Sequence, residues 1–462
     1  MSRAFRPDPF LSDNYAPLLL EGEAFDLPIE GELPRELHGT LYRNGPNPQF
    51  APRGRYHWFD GDGMIHAFRL RDGRASYRNR WVRTARFAHE RAAGEALFPG
   101  IADMAAGDPR VAGVSGNAAN TNIVWHAGRL LALWEAGPPH ALDPVTLETF
   151  GPHDFGGKLV GAMTAHPKLD PETGEMGFFG YGFTPPLLRY HVADAQGRLV
   201  RSCEIDVPWA SMMHDFVMTP RHVIFPVFPA TIRLENIERT GSPIGWEPEL
   251  GARIGVMPRD GTGADVKWFE IDPCYVFHPL NAWDDGDRVV TEVCRYPRLP
   301  LFEGADTQGL EDLDAKLTRW TLDLAGGGVK EEQLDDAALE FPRLDERRAG
   351  LRYRNGYAAG IQPDGAGSRR VNAIFHFDLA SGRRRQHVVP SPDVVGEPIF
   401  VPRHAAAEEG DGFLLVVVYR GQEKRSDLVV LDARNVERAP LATVQLSHRV
   451  PFGFHGNWAP GV

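Results

Sequence analysis

The stretches WTLDLAGG at 320–327, FHFDLASG at 375–382 and VVLDARNV at 429–436 share one pattern, in which apolar residues lead to an aspartate and then to turn residues. Aspartate suits this position because its side chain accepts hydrogen bonds from the backbone just ahead of it and stabilises a hairpin turn. Four further stretches fit the pattern: FRLRDGRA at 68–75, ALDPVTLE at 141–148, HVADAQGRL at 191–199 and VMPRDGTG at 256–263. The sequence therefore contains seven candidate hairpins.

The aspartates of these hairpins lie 51 to 71 residues apart, at Asp72, Asp143, Asp194, Asp260, Asp323, Asp378 and Asp432. Hairpins repeated at such intervals are typical of propeller blades, in which radial repetition leaves only short, protected strand edges. The pattern predicts an all-β protein with the architecture of a seven-bladed β-propeller. Two alternatives stay open at this point. Asp272 in EIDP competes with Asp260 for the fourth place, and a pair of packed sheets would also use such hairpins.

The composition agrees with many short strands, since 49 glycines and 38 prolines among 462 residues indicate frequent turns. No linker or low-complexity tract divides the chain, so we expect one propeller domain over 1–462 with an irregular N-terminal segment at 1–14. Helical patterns occur in three segments, Pro34–His38, Thr84–Ala93 and Leu310–Lys316. Strand-like runs are more numerous, and they include Leu130–Trp134, His222–Phe228, Arg288–Cys294, Phe413–Tyr419 and Leu428–Leu431.

The charge and the cysteines exclude several classes of protein. A net charge of −12 argues against a nucleic-acid partner. The three cysteines, Cys203, Cys274 and Cys294, show neither CxxC spacing nor an even count, which suits the reducing cytoplasm. No stretch approaches the ~20 apolar residues of a membrane span. We therefore expect a soluble, cytoplasmic protein.

Four of the 17 histidines stand among apolar and turn residues, namely His166 in AMTAHPK, His214 in MMHDF, His278 in VFHPLNA and His455 in GFHGNW. Their separations are 48, 64 and 177 residues, or about one, one and three blades of the predicted propeller. At equivalent positions on inner strands these side chains would converge on the central axis. Four neutral imidazoles suit iron, zinc, copper or nickel. The sequence thus indicates a metal site and leaves the metal open.

Ligand histidines usually donate their second ring N–H to a carboxylate, which fixes the orientation of the ring. Glu135 in LLALWEAG, Glu340 in LEFPRL and Glu397 in VGEPIF are acidic residues in apolar strand surroundings. Each is a candidate for this role, and each is also compatible with a solvated glutamate at the edge of a strand. The sequence contains no HExxH, P-loop, GxGxxG or GxSxG motif, which excludes the activities those motifs support.

These histidine segments, together with LYRNGPNPQF at 41–50, WFDGDGM at 58–64, ANTNIV at 119–124, GEPIFVPR at 396–403 and SDLVVLDA at 426–433, resemble the carotenoid cleavage oxygenase family. The resemblance runs from about residue 15 to the C-terminus. It implies a seven-bladed propeller with Fe(II) on its axis, and with helices and loops that roof one face to form an apolar tunnel.

The resemblance also implies roles for individual residues. His166, His214, His278 and His455 match the iron ligands, and Glu135, Glu340 and Glu397 match the carboxylates behind them. Thr121 in ANTNIV matches a threonine whose methyl group crowds an otherwise open coordination position. The implied reaction uses O₂ to split a C=C bond into two carbonyl products. The protein's tasks are then to keep the metal accessible, exclude water and position the double bond.

The resemblance points to two different classes of substrate. The stretch from Met212 to WEPELGARIGVMPR resembles the branch that cleaves stilbenes and isoeugenol-type phenylpropenoids, but that branch normally carries a lysine where this chain has Trp134. Its companion tyrosine near Phe98–Ala102 is also missing. Trp134, Phe59 and Phe277 match tunnel-lining aromatics of apocarotenoid enzymes, although each could also be a core residue. We therefore expect an apocarotenoid-type polyene, with an aromatic alkene as the alternative.

Two other functions stay open. A retinoid isomerase resembles this family and uses the same metal site without cleaving carbon–carbon bonds, and a propeller without catalytic function would carry structural histidines. Because the expected substrate is apolar, transient membrane contact is also expected. The run HVIFPVFPATI at 222–232 is either part of such a surface or a buried strand. The oligomeric state is not readable from the sequence.

Overall fold

The computed structural model describes residues 4–301, 313–363 and 369–462. The strands before the first histidine of the candidate site are β1 (Glu23–Ala24), β2 (Ile29–Gly31), β3 (Gly39–Pro46), β4 (Gly63–Arg71), β5 (Arg74–Trp81), β6 (Asn122–His126), β7 (Arg129–Leu133), β8 (His140–Leu142) and β9 (Thr149–Pro152). The next are β10 (Lys168–Leu169), β11 (Met176–Tyr181), β12 (Leu188–Ala193), β13 (Leu199–Ile205), β14 (Val217–Met218), β15 (His222–Val227), β16 (Ala230–Ile232), β17 (Ile244–Trp246), β18 (Ala252–Pro258) and β19 (Lys267–Ile271).

The second half of the chain continues with β20 (Tyr275–Asp285), β21 (Arg288–Tyr296), β22 (Lys316–Asp323), β23 (Val329–Gln333), β24 (Ala338–Leu344), β25 (Asn355–Ile361), β26 (Ala373–Asp378) and β27 (Arg383–Val388). The last strands are β28 (Val394–Val395), β29 (Ile399–Pro402), β30 (Gly412–Arg420), β31 (Arg425–Asp432), β32 (Ala442–Gln445) and β33 (Gly456–Pro460). The described ranges contain two α-helices, α1 (Ala85–Ala93) and α2 (Asn236–Thr240). One-turn 3₁₀ helices lie at Pro9–Leu11, Asp13–Tyr15, Trp58–Asp60, Met104–Ala106, Pro109–Val111, Pro248–Leu250, Gly263–Asp265 and Glu346–Arg348.

The strands form seven antiparallel sheets, which are the blades of a seven-bladed β-propeller. Blade 1 has the order β1-β5-β4-β3-β33, and blades 2 and 3 are β6 to β9 and β10 to β13. Blade 4 has the order β14-β15-β18-β19, and blades 5 and 6 are β20 to β23 and β24 to β27. Blade 7 has the order β2-β32-β31-β30-β28, with β29 also paired to β30, while β16 and β17 form a separate hairpin. The predicted fold class is confirmed.

The seven aspartates occupy equivalent positions, because each lies between the third and fourth strands of a blade counted from the axis. Asp323, for example, ends β22 and accepts hydrogen bonds from the backbone N–H groups of Ala325 and Gly326. Asp260 fits this frame, whereas Asp272 follows β19 and lies between two blades. The predicted turn chemistry therefore identified one hairpin of every blade, and the sandwich alternative is wrong.

Strands from both ends of the chain help to close the ring of blades. β33, from the C-terminus, pairs with β3 and becomes the innermost strand of blade 1, with Gly39 opposite Pro460 and Arg43 opposite Gly456. β2, from the N-terminus, pairs with β32 at the outer edge of blade 7. Neighbouring blades are joined by apolar side chains, and Tyr42 and Ile65 of blade 1 pack with Ile123 of blade 2. Closure thus depends on strands that are distant in sequence.

The helix predictions were right in one case of three. α1 begins one residue after Thr84, whose hydroxyl accepts a hydrogen bond from the Phe87 N–H, and it ends at Gly94, where φ is 72°. Pro34–His38 forms only a turn, and β3 begins directly after it at Gly39. In Leu310–Lys316, residues 310–312 lie outside the described part of the chain, and Lys316 begins β22, so a helix at that end is wrong.

The structure also bears on the predicted strands and on membrane-spanning segments. The five strand-like runs correspond to β7, β15, β21, β30 and β31. The run at 222–232 lies mostly buried in β15 and β16, which confirms the alternative of a buried strand. Among the described residues, no helix has the length and apolar character needed to cross a membrane.

The buried His66 in β4 leads to a prediction about the free energy of unfolding at low pH. Burial lowers the pKa of His66 from 6.5 to about 3, with smaller contributions from His448 and Arg43. The unfolded chain therefore binds a proton below pH 6.5 that the folded chain does not bind, so stability falls as the pH falls through this range. We expect His66 alone to remove about 2 kcal/mol between pH 6.5 and pH 5.

Denaturant unfolding at several pH values measures this effect. The variant His66→Gln should lose less unfolding free energy than the parent protein when the pH is lowered. His38→Gln, which changes an exposed side chain, should retain the parent slope. Equal slopes for His66→Gln and the parent protein would contradict the expectation.

Candidate metal centre

The innermost strands place the four histidines at one end of the propeller axis. His166 and His214 lie just before β10 and β14, His278 lies within β20, and His455 lies directly before β33. Each inner strand begins at the same end of the axis and runs away from it. Residues near the start of these strands therefore point toward one another, as the spacing of the four histidines predicts.

The four histidines form a compact, buried cluster. One ring nitrogen from each lies within 4.8 Å of the others. The Nε2 atom of His214 is 3.0 Å from that of His166 and 3.2 Å from that of His278. Imidazole–metal bonds of about 2.1 Å at right angles separate two nitrogens by about 3.0 Å. The donor set and its spacing are therefore compatible with a single metal ion.

Three carboxylates lie behind three of the rings, and of these Glu397 is buried while Glu135 and Glu340 are partly buried. The Nδ1 atom of His214 is 2.7 Å from Glu135 Oε2, that of His278 is 2.5 Å from Glu340 Oε2, and that of His455 is 3.0 Å from Glu397 Oε1. When Nδ1 donates to a carboxylate, Nε2 keeps its lone pair for the centre of the cluster. The three glutamates singled out in the sequence are thus placed to orient these rings.

Burial sets the protonation of two of these histidines. It lowers the pKa of His166 well below its usual value, and it lowers the pKa of His455 to about 3 although Glu397 opposes the shift. Both rings are therefore neutral at neutral pH, which is the form that binds a metal. For His278, burial lowers the pKa, but Glu340 raises it above the usual value.

Glu397 is held by partners that the sequence did not suggest. Arg343 contacts its Oε1 atom at 3.3 Å, and the Gly456 N–H donates to its Oε2 atom at 2.8 Å. Burial alone would raise the pKa of Glu397, but Arg343, His455 and Arg43 lower it to about 2. Glu397 therefore stays ionised behind His455, and its position depends on side chains from blades 1 and 6.

Glu135 has a similar partner in Tyr181, at the end of β11, whose hydroxyl donates to Glu135 Oε1 at 2.7 Å. His166 differs from the other three histidines, because its Nδ1 atom lies 3.8 Å from Asp215 Oδ2, which is too far for a direct hydrogen bond. Asp215 pairs instead with Lys168 at 2.7 Å. The only sequence signal for Asp215 is that it directly follows His214.

Thr121 lies beside the cluster at the start of β6. Its carbonyl oxygen accepts a hydrogen bond from the His455 N–H at 3.2 Å, which ties it to the ligand segment. Its hydroxyl donates to Asn120 Oδ1 at 3.0 Å. Asn120 in turn donates to the carbonyl oxygens of Phe59 and Gly61. Thr121 thus connects the cluster to the loops above it.

Aromatic side chains cover the histidine end of the axis. The ring of Phe277 lies 5.2 Å from that of His214, and the ring of Phe59 lies 6.5 Å from Phe277 and 5.4 Å from Phe454. The structure therefore brings Phe59 and Phe277 together beside the site. Trp134 is half-buried and directly precedes Glu135, and within the described residues no ring contact joins it to either phenylalanine.

Comparison with known proteins identifies the class to which this fold and site belong. Residues 15–460 match the family described as retinal pigment epithelial membrane protein. The chain belongs to this family, the carotenoid cleavage oxygenases, whose members include named monooxygenases and dioxygenases. The resemblance drawn from the sequence is confirmed, and the protein is an enzyme of the alkene-cleaving oxygenase type.

Individual relatives span more than one substrate. The chain is 38% identical to isoeugenol monooxygenase of Pseudomonas nitroreducens, over 100% of both chains. A crystal structure of lignostilbene dioxygenase from Pseudomonas brassicacearum has a TM-score of 0.95 with 36% identity, over 100% of both chains. A cobalt-substituted apocarotenoid oxygenase of Synechocystis has a TM-score of 0.87 with 31% identity, over 99% of this chain and 100% of that one.

Solved variants of the Synechocystis oxygenase replace a threonine, a tryptophan and the glutamate that follows it. The threonine precedes the tryptophan by 13 residues. Thr121, Trp134 and Glu135 have the same spacing in this chain.

The hydrogen bond between Glu135 and His214 leads to a prediction about metal affinity. Glu135→Gln keeps the size of the side chain but removes the charge that orients the ring, so we expect metal affinity to fall by about 10- to 100-fold. Competition with a coloured chelator measures the affinity. The exposed Glu148→Gln is the matched control and should bind metal as the parent protein does. Unchanged affinity in Glu135→Gln would show that the carboxylate does not support the ligand.

Proposed function

We propose that this protein is a non-haem Fe(II) dioxygenase that cleaves a C=C bond of an apolar conjugated substrate with O₂, giving two carbonyl products. The observation that carries the proposal is the cluster of four buried imidazoles, three of them backed by carboxylates. In this proposal His166, His214, His278 and His455 are the metal ligands. Glu135, Glu340 and Glu397 orient the rings of His214, His278 and His455.

The donor set supports iron. Neutral imidazoles suit iron among other first-row metals, and no carboxylate oxygen belongs to the described cluster of donor atoms. Fe(II), when bound, supplies an accessible coordination position and electrons for the activation of dioxygen. We propose that Thr121, tied to both His455 and Asn120, crowds one position next to the ligands and limits what binds there.

The rest of the chain has positioning roles. Both oxygen atoms of O₂ are incorporated, one into each carbonyl product, so the balanced reaction needs no further reductant. A catalytic acid–base pair is not required either. Phe59 and Phe277 form an apolar surface beside His214 that excludes water and holds the double bond near the site. Catalysis then rests on the placement of the alkene rather than on proton transfer by side chains.

We favour an apocarotenoid-type polyene as the substrate, with Trp134, Phe59 and Phe277 lining its tunnel. The threonine–tryptophan–glutamate spacing that this chain shares with the Synechocystis apocarotenoid oxygenase supports this choice. An apolar indole at position 134 suits a hydrocarbon chain, whereas an ammonium group there would stabilise a phenolate.

A phenylpropenoid or stilbene is the second candidate, and a specific observation favours it. The lignostilbene dioxygenase structure has a TM-score of 0.95, compared with 0.87 for the apocarotenoid oxygenase. Sequence identity does not separate the two classes, because isoeugenol monooxygenase shares 38% identity with this chain and a carotenoid cleavage oxygenase shares 37%. Structural similarity and the residue at position 134 therefore favour different substrates. A direct assay separates them.

The iron-loaded protein should be incubated with an apocarotenal and with isoeugenol in parallel, and the products analysed by mass spectrometry. We expect the apocarotenal to be split into two carbonyl fragments because of the apolar wall at Trp134. Trp134→Lys should shift activity toward isoeugenol by placing an ammonium group near the phenolate. His214→Ala is the control and should lose both iron and activity.

Cleavage of isoeugenol alone would overturn the choice of substrate but not the reaction. Isomerisation of a retinoid without cleavage would favour the isomerase function instead. A stable protein that binds no iron would contradict the proposed metal site and favour a propeller with a purely structural role.

We also propose a cytoplasmic location. Cys203, Cys274 and Cys294 are all free thiols in the structure, and Cys274 and Cys294 are buried. Free thiols of this kind persist in a reducing compartment.

A further inference from the structure

A cavity of about 670 Å³ reaches the histidine cluster along the propeller axis. Its wall includes His166, His278 and His455, and it extends to solvent at exposed residues such as Glu172 and Pro220. Among the described residues that line it, none is Phe59, Trp134 or Phe277. We call this cavity the axial shaft. It approaches the site from the side opposite the aromatic cover.

The direction of the inner strands explains the position of the shaft. Each inner strand begins near the histidines and runs away from them, so its later residues line the axis on the far side. In blade 4, for example, the wall passes from Asp215 beside the cluster through Val217 to Pro220 at the surface. All seven inner strands contribute to the wall, and the shaft is therefore a consequence of the propeller itself.

The wall next to the histidines is polar, and most of its side chains pair with one another, although Arg343 Nε has no hydrogen-bond partner among the described residues. Asn457 donates to Asn122 at 3.1 Å and accepts from Arg343 at 2.8 Å, and Lys168 pairs with Asp215 at 2.7 Å. Groups that satisfy one another need no bound ligand and tolerate water beside them. Farther out, the wall includes apolar side chains such as that of Val217. The shaft thus has the character of a passage rather than of a tight binding site.

The proposed reaction has two substrates of very different size. An alkene that lies against Phe59 and Phe277 covers the site from the aromatic side. We propose that dioxygen reaches the metal centre through the axial shaft, from the face opposite the alkene. This inference rests on the proposed function. It separates the two routes of entry, so that dioxygen reaches the site while the alkene is already bound.

A removable plug in the shaft tests the inference. Val217→Cys places a thiol on the wall, and it is made together with Cys203→Ser because Cys203 is the only cysteine of the chain that is not buried. The thiol is labelled either with a methyl or with a bulky benzyl methanethiosulfonate, and a reducing thiol later removes the label. Val200→Cys, on the exposed outer strand β13, is labelled in the same way as the control.

Two measurements follow labelling. Initial rates at saturating alkene give the KM for dioxygen, and stopped-flow absorbance gives the rate at which nitric oxide, a gas of similar size, binds to the iron-loaded protein. We expect the bulky label at position 217 to raise the KM for dioxygen several-fold and to slow nitric oxide binding. The methyl label and both labels at position 200 should have little effect, and removal of the bulky label should restore both values.

The outcomes separate this inference from the proposed function. If the protein binds iron and the bulky label changes neither the KM for dioxygen nor nitric oxide binding, the shaft is not the route, although the proposed function stands. Because Val217 is buried and also packs in the core beside blade 4, the less buried Leu169→Cys repeats the test nearer the surface. If neither thiol reacts in the folded protein, the shaft is closed and the inference is wrong. Failure to bind iron contradicts the proposed function instead.

Discussion

Hydrogen bonds from three histidine rings to three carboxylates, one buried and two partly buried, are the interactions on which the site depends. Glu397 is buried and keeps its negative charge, and a buried charge is costly unless cations lie close by. Arg343 and Arg43 offset part of it beside Glu397. A divalent metal among the imidazoles would offset more. The same interactions that orient the rings therefore make the folded protein favour a bound cation.

The propeller supplies the geometry that these interactions require. Seven inner strands that begin at one end of the axis bring together residues separated by up to 289 positions, as for His166 and His455. The pairing of β33 with β3 places His455, and the Gly456 N–H then contacts Glu397. Closure of the ring and completion of the site are thus one event. The same arrangement leaves a space along the axis below the histidines.

The features that the sequence predicted are those with a local signal. A few consecutive residues encode each aspartate turn, so the propeller could be inferred. Each of the four histidines lies in an unusual apolar segment, so the cluster could be inferred as well. The apolar context of the three glutamates made them candidates, whereas the proposal of iron and the role of the glutamates behind the ligands came from family resemblance. Arg343 and Tyr181 could not be inferred, because they reach Glu397 and Glu135 from other blades and nothing near them in the sequence marks this role. Pro34–His38 failed for the opposite reason, since a weak helical pattern over so few residues competes with the strand that follows.

X-ray absorption spectroscopy of the iron-loaded protein tests whether the four histidines alone bind the metal. We expect one iron per chain, with four imidazole nitrogens at roughly 2.1 Å and no carboxylate oxygen from Glu135, Glu340 or Glu397 bound to the metal. A first shell that contains carboxylate oxygens, or fewer than four imidazoles, would contradict this expectation. So would a protein that takes up no iron.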